Sequence, residues 1–327
     1  MTAISPGRAS RATAIVLRRF GALLALVLIS VLLSIVSEHF LTVDNLINVF
    51  RQSAVNALLA LGQLAVIITA GIDLSVGSIL GLCCVVAAWM LKHGAPVWLV
   101  IPATLASGCA LGAVNGLLLT KLHLPHPFIP TLGMMNVARG LALVISGGFA
   151  ISELPRSFRY WGAGEVGPVP VPIVVVLAFC LIFHVLLTHT TPGRDLYAIG
   201  GNLQAARLSG VPVHARLNFA YALSGFMSAV AAIVLAGRMN SGFPLAGVGA
   251  ELDSIAAVII GGASFFGGVG TVFGTLVGAL IIGVLRNGLN LLDVSAYWQA
   301  VVIGAVIVIA VWIDVVRQRA FSRRGWA

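Results

Sequence analysis

The chain has 327 residues, of which 59% are hydrophobic and 9% charged, with a formal net charge of +9 and a mean hydropathy of +1.06. Soluble domains carry about 25% charged residues, so this composition excludes an ordinary water-exposed surface and predicts one membrane domain. Nucleic-acid binding is excluded too, because Arg and Lys sit at the ends of apolar runs and no basic stripe with interleaved aromatics is present.

A membrane helix needs about 20 predominantly apolar residues. Arg18 and Arg19 precede the run 20–37, an arrangement that mimics a signal peptide. That run is longer than a signal core, and Ser37-Glu38-His39 is no small-residue cleavage site, so it is expected to stay as the first span. Charge-free runs place the next spans at 52–72, 74–91 and about 97–120. The fifth, about 130–148, contains Arg139. A polar stretch with Glu153, Arg156, Arg159 and Glu165 separates it from the sixth, about 171–189. The most polar interior segment, Thr190 to Arg216, comes next, and the seventh span is 217–237.

From Ser254 to Leu285 the chain carries 32 uncharged residues, too many for one span. The dense glycines Gly261, Gly262, Gly267 and Gly268 break or sharply turn a helix. Two short spans are expected there, about 253–267 and 270–289, with these four glycines as the best hinge candidates and the rest of the 37 glycines read mainly as packing. The tenth span is 294–313.

The expectation is an all-α membrane protein of about ten transmembrane helices. Residues 1–19 form a cytoplasmic N-terminal segment, 20–315 the transmembrane domain, and 316–327 a cytoplasmic tail. Orientation follows from Lys and Arg in the loops. With the N-terminus cytoplasmic, the inner side holds twelve (Arg8, Arg11, Arg18, Arg19, Lys121, Arg194, Arg207, Arg216, Arg317, Arg319, Arg323, Arg324) and the outer side six (Arg51, Lys92, Arg156, Arg159, Arg238, Arg286). Two pseudo-repeated halves are suggested by Asn115-Gly116-Leu117 recurring as Asn287-Gly288-Leu289, with Gly133 and Gly304, and Asp73 and Asp253, at similar spacing.

Few residues are candidates for chemistry. Cys83, Cys84, Cys109 and Cys180 lie in apolar runs without C-x-x-C spacing, and the seven His residues show no ligand pairing, so no metal is expected. Asp73, in Gly-Ile-Asp-Leu-Ser with Ser75 and Ser78 nearby, either caps the third span or lines a polar path. Asp253 has the same two readings. Arg139, well inside its span, needs partners for five donors and serves either structural pairing or the lining of a path. Asn115 and Asn287 are expected to bridge helices or to touch a substrate.

The segment Gly200-Gly201-Asn202-Leu203-Gln204-Ala205-Ala206-Arg207-Leu208-Ser209-Gly210 carries the best local signal. Asn202 is a good N-cap and Gly210 a good C-terminal stop. About two helical turns lie between them on the cytoplasmic face, not needed to span lipid and suited to docking a soluble partner. An ordinary structured loop is the other reading. No nucleotide-binding loop is present, because neither Lys92 nor Lys121 follows Gly and precedes Ser or Thr. ATP energy would have to arrive by contact.

Gln204-Ala205-Ala206-x-x-x-Gly210 resembles the E-A-A-x-x-x-G core of the coupling loop in bacterial ABC import permeases, with Gln in place of Glu; the downstream part of that pattern does not match well. The stretch Thr191-Pro192-Gly193-Arg194 through Gly210, the run Gly71 to Ser78, and Val284 to Asn290 resemble permeases of the ribose-type monosaccharide family. So do Pro127-Phe128-Ile129, Thr131-Leu132-Gly133 and Arg139-Gly140. This resemblance covers residues 20–315. It implies a permease subunit in the bacterial cytoplasmic (inner) membrane that is not itself an enzyme and holds no cofactor, since ATP is bound by a partner. Implied partners are an ABC ATPase subunit, an extracytoplasmic sugar-binding protein and a second permease copy or paralogue, with substrate a pentose or hexose. Asn202, Gln204, Ala205, Ala206, Arg207 and Gly210 would couple to the ATPase. Asp73, Ser75, Asn115, Thr131, Arg139, Asp253 and Asn287 are the translocation-path candidates. Competing readings are a branched-chain amino-acid permease, an ion-coupled secondary carrier, which needs carboxylates deep inside spans, and a membrane enzyme, for which no nucleophile–base constellation is visible.

Overall fold

The computed structural model of the chain describes residues 8–122 and 124–322. The ends of the expected terminal segments, including Arg323 and Arg324, lie outside the described residues. Thirteen helices are found among the described residues: α1 (Arg8–Val36), α2 (Val43–Ile68), α3 (Val76–Lys92), α4 (Val97–Lys121), α5 (Phe128–Ser146), α6 (Arg156–Ala163), α7 (Val171–His189), α8 (Thr191–Gly201), α9 (Leu203–Leu208), α10 (Val213–Met239), α11 (Ala250–Ile260), α12 (Val272–Leu291) and α13 (Ala296–Ser322). The strands are two-residue pairs: β1 (Ile151–Ser152) with β4 (Ser241–Gly242), and β2 (Glu165–Val166) with β3 (Val169–Pro170). The all-α expectation stands.

Each expected span has a helix at its place, but several boundaries move for physical reasons. The second was expected from residue 52 because Arg51 interrupts the apolar run. The helix instead starts at Val43, where the Thr42 hydroxyl accepts from Asn45 N and Asp44 occupies the first turn. Arg51 is carried inside α2 by its ion pair with Glu165. Seven helices, α2, α4, α5, α7, α10, α12 and α13, are long and apolar enough to cross a membrane; α3 and Gly21–Val36 of α1 are shorter apolar helices. Helix α13 continues to Ser322, through part of the expected tail.

The pair expected at 253–267 and 270–289 differs most. Helix α11 ends at Ile260, and residues 261–271 form the connection to α12. At 11 residues α11 is about 16 Å long, roughly half of a hydrocarbon core of about 30 Å. Residues 240–249 lead into it. They run beside α3 in extended and turn conformation, with Gly242 against Cys84 and Ala88, and Gly247 against Gly77.

Helix α10 is the hub. Its partner α4 presents Gly108, Gly112 and Gly116, one per turn. A Cβ on Gly112 would overlap the Tyr221 carbonyl, and one on Gly108 would lie 2.5 Å from the Gly225 carbonyl oxygen. Small residues at this spacing let two backbones touch, which is how helices associate without a hydrophobic drive between them. Around this contact α2, α3 and α11 are largely buried, with Leu58, Leu59, Leu61 and Tyr221 fully enclosed. Outward-facing side chains such as Leu32, Val144 and Val308 are exposed and apolar, as a lipid-facing surface requires.

Helix α10 also defines two faces. Its start carries Arg216, paired with Asp195 of α8 at 2.7 Å. Its end packs on α6, where Gly162 abuts Val234 to Arg238. The 27 residues separate these faces by about 40 Å. Gly21 of α1 and Asp314 of α13 line one cavity with Gly261 and Gly262, so the start of α1 and the end of α13 lie on the α8–α9 face.

Candidate functional site

Asp73 has no exposed surface. It sits in the connection between α2 and α3, where its Oδ1 accepts the Ser75 N–H at 2.9 Å and the Ser75 hydroxyl at 2.6 Å. Such a turn, formed with a backbone N–H two residues on, is a common use of Asp at a helix entrance. Oδ2 accepts the Ser224 hydroxyl of α10 at 2.8 Å, and Asn115 of α4 donates to the Ser75 hydroxyl at 2.8 Å. With its amide turned to match its neighbours, Gln63 of α2 donates to the Asp73 carbonyl at 3.2 Å and accepts its N–H at 3.3 Å. Tyr221 donates to the Ile72 carbonyl at 3.3 Å. Three helices thus converge on one seven-residue connection, and Asp73, Ser75 and Asn115 come together as a group.

The other path candidates are dispersed. Arg139 of α5 donates from Nη1 to the carbonyls of Pro244 (2.6 Å) and Ala246 (2.9 Å), and from Nη2 to that of Gly77 (3.4 Å). Its guanidinium satisfies the non-helical backbone of 240–249, where no helical partner exists. Non-helical backbone at membrane depth persists only with such partners. Asp253 of α11 pairs with Arg286 of α12 at 2.5 Å. Asn287 of α12 exchanges two hydrogen bonds with Asn45 of α2, at 2.7 and 3.0 Å. Thr131 is buried, its hydroxyl turned back to the carbonyls of Pro127 and Phe128. Asn115 and Asn287 therefore bridge elements by hydrogen bonds.

The segment 190–216 folds as a helix pair and the start of α10. The Asn202 side chain accepts the Ala205 N–H at 3.0 Å and caps α9. At the other end Gly210 has φ +82°, its N–H donating to Arg207 O and that of Val211 to Ala206 O, both at 3.1 Å. These two bonds make a Schellman cap, which favours Gly in the left-handed position. Ala206 is buried with Ile199 and Val213 in a small core of its own. Gln204, Ala205, Arg207 and Leu208 are exposed, Leu208 to 90%. Ala206 therefore seats α9, while the other four form its free rim.

Four residues that sequence reasoning passed over complete this region. Ser224 and Gln63 hold Asp73, as described. Tyr197 of α8 donates to the Gly270 carbonyl at 2.7 Å, and burial pushes its phenol pKa up. Asp314, one residue past the expected tenth span, accepts the Phe265 N–H at 3.1 Å and the Ser264 hydroxyl at 3.3 Å. It was legible only as a lone acid at the end of an apolar run. A cavity of about 570 Å³ lies between α9, residues 69–71, the end of α4 and the start of α10, lined by Thr69, Thr120, Asn202, Arg207, His214 and Tyr221 among others. Among the described residues no group of three or more His, Cys, Asp or Glu gathers as a metal site.

Residues 45–311 match the family described as Branched-chain amino acid transport system / permease component. The chain is 43% identical over 295 residues to the ribose import permease protein RbsC of Haemophilus influenzae, covering 89% of this chain and 91% of that one. It is 46% identical over 303 residues to the ribose import permease protein of Bacillus subtilis, covering 91% and 93%. To the D-allose transport system permease protein AlsC of Escherichia coli it is 41% identical over 290 residues, 88% of each.

Proposed function

The chain belongs to the branched-chain amino acid transport system / permease component family, and from that membership we propose that it is the permease subunit of an ATP-driven importer for a pentose or hexose. The observation that carries the ATP-driven part is the α8–α9 pair. It is capped at both ends of α9, anchored to α10 by the Asp195–Arg216 ion pair, and presents a free rim. A lipid-spanning fold has no need of it, and it suits a groove on a separate ATPase. The sequence holds no nucleotide-binding loop of its own.

Sugar is favoured by relatives whose names specify ribose and D-allose, at 41–46% identity over most of the chain. The family description keeps a branched-chain amino acid as the second reading. Of the two carboxylates the sequence offered to an ion-coupled carrier, Asp73 is held by three donor groups and Asp253 by Arg286. In this reading an extracytoplasmic binding protein delivers the sugar and supplies most of the selectivity. Two permeases, identical or sister chains, pair around the path. Ten spans, one of them completed by the non-helical stretch before α11, cross the inner membrane in two related halves, with both termini in the cytoplasm. Asp73, Ser75, Asn115, Thr131, Arg139, Asp253 and Asn287 shape the walls of the path, and the 261–268 glycines articulate it.

The test is reconstitution of the transporter co-purified with this chain from its native membrane. We expect uptake of D-ribose, D-allose or D-xylose that requires ATP and binding protein, stops with vanadate and ignores a protonophore. The isolated chain should bind no radiolabelled ATP. Uptake driven by an ion gradient without an ATPase would overturn the proposal, and leucine uptake in place of all three sugars would move it to the second reading.

A further inference from the structure

The end of α8 touches two connections that are distant in sequence. Residues 69–75 lead into α3 and residues 261–271 lead into α12. They are joined directly, because the Gly268 N–H donates to the carbonyl of Ile68, the last residue of α2, at 2.8 Å. Both are bent at the contact: Gly267 and Gly268 have φ of +85° and +72°, and Ala70 has φ +61°. A left-handed backbone is uncommon for a residue with a Cβ, so Ala70 is held there by what surrounds it. What surrounds it is the turn of Gly267, where an added Cβ would lie 2.7 Å from Ala70 N and 3.0 Å from Gly200 Cα.

Gly200 fills the angle between the two connections. A Cβ there would overlap the Ile68 carbonyl, and a Cβ on Gly268 would lie 3.0 Å from the Gly201 backbone. No side chain intervenes, so nothing can yield by changing rotamer. One turn earlier on α8, the Tyr197 hydroxyl holds the Gly270 carbonyl, next to Thr271, the N-cap of α12. On the far side, three residues beyond Ala70, Asp73 is pinned to α10 and, through Ser75, to α4. Asp314 fixes the other connection at Phe265. The cavity of about 570 Å³, lined by Thr69, Gly71, Gly201 and Arg207, leaves open space on one side of this junction.

From this geometry we propose that Tyr197 and Gly200 are positioning residues that link displacement of the α8–α9 pair to the entrances of α3 and α12 together. The inference rests on the reading above that α8–α9 receives motion from an ATPase. Packed contacts switch between discrete arrangements instead of deforming continuously. A shift of α8 therefore has to move Ile68 and Gly268 as one, and Tyr197 carries the pull on Gly270 in the return direction. Both half-chains feel the same event, without a relay of flexible side chains.

The test uses the whole transporter, purified through this chain with its ATPase and binding protein, in liposomes. The quantity read is sugar imported per ATP hydrolysed, with whichever of radiolabelled D-ribose, D-allose or D-xylose the wild type takes up. Tyr197→Phe removes only the hydroxyl, and we expect the ratio to fall about fivefold with ATPase co-purification and ATP hydrolysis unchanged. Gly200→Ala, which drives a methyl into the Ile68 carbonyl, should lower it further. A ratio equal to wild type in both variants would overturn the proposal. So would loss of ATPase association with an unchanged ratio in the complexes that remain, since that marks a purely structural seat. If the wild type itself shows no ATP-dependent uptake of any of the three sugars, the importer reading falls and this inference with it.

Discussion

Arg139 and Asp73 illustrate how a polar side chain is satisfied inside an apolar fold, and they do it in opposite ways. Asp73 is an acceptor surrounded by hydroxyls and one N–H, so its oxygens are met by donors from its own turn and from α10. Arg139 is a donor facing three carbonyls, two of them in the extended stretch 240–249. The first was half-legible in the sequence: an Asp two residues before a Ser at a helix entrance suggests a local turn, but nothing in one sequence points to Ser224. The second was legible only as a need for partners. Arg139→Met should leave the Pro244 and Ala246 carbonyls without donors. Hydrogen bonds to a charged group contribute about 1.5–3 kcal/mol each, so a loss of about 3–6 kcal/mol is expected. Arg139→Lys should lose about half as much, since an ammonium lacks the planar fork. Cys83 and Cys84 are fully buried free thiols, so a thiol-reactive fluorophore reports unfolding in detergent. Midpoints for both variants indistinguishable from wild type would show that Arg139 does not hold this backbone.

At the scale of elements, α9 is the piece the sequence described best. Asn202 and Gly210 announced its two ends, and both caps form as expected. Cap chemistry is local, so it can be read without knowing the fold. Helix α11 is the opposite case. A run of uncharged residues records apolar depth but not conformation, so 240–249 and α11 together looked like a loop followed by a span. What decides between them is Arg139 and the close approach of Gly247 to Gly77, both from distant parts of the chain. The start of α2 was missed for a similar reason, because Arg51 reads as a boundary unless Glu165 is known to face it. For α9 the decisive variant is Gly210→Val. Its Cβ would meet nothing within 4 Å in this chain, so the strain inside the subunit is conformational: a left-handed non-glycine residue costs about 1–2 kcal/mol. Gly210→Asn, which tolerates that conformation better, should retain more function. We expect uptake and ATPase co-purification to fall in the order wild type, Asn, Val while the protein still inserts. Equal uptake by Val and Asn variants would mean the cap is not needed for coupling.

At the scale of the whole molecule, exposed Trp and Tyr mark both ends of the helices, Trp312 toward α8–α9 and a larger group toward α6, while the charges divide between the two faces. The end of α3, the start of α4, α6 and the start of α13 carry Trp89, Trp98, Tyr160, Trp161, Tyr297 and Trp298. All lie on the α6 face, and exposed Trp and Tyr favour the level of lipid headgroups. The acids there, Glu38, Asp44, Glu153, Glu165 and Asp293, accompany Arg51, Lys92, Arg156, Arg159 and Arg238. The α8–α9 face carries Lys121, Arg194, Arg207, Arg216, Arg317 and Arg319 against Asp195 and Asp314, and both ends of the described chain lie toward it. An excess of Lys and Arg marks the cytoplasmic side of a membrane protein, which supports the proposed orientation, with α8–α9 toward the cytoplasm and α6 on the opposite side. Single cysteines test this in spheroplasts with a membrane-impermeant maleimide. Two native thiols are buried, at Cys83 and Cys84, and wild-type protein measures any background from Cys109 and Cys180. Arg156→Cys should label in intact spheroplasts, and Leu208→Cys, at a position 90% exposed, only after permeabilisation. The reverse pattern would place the helix pair outside the cell, where no ATP is available to drive it.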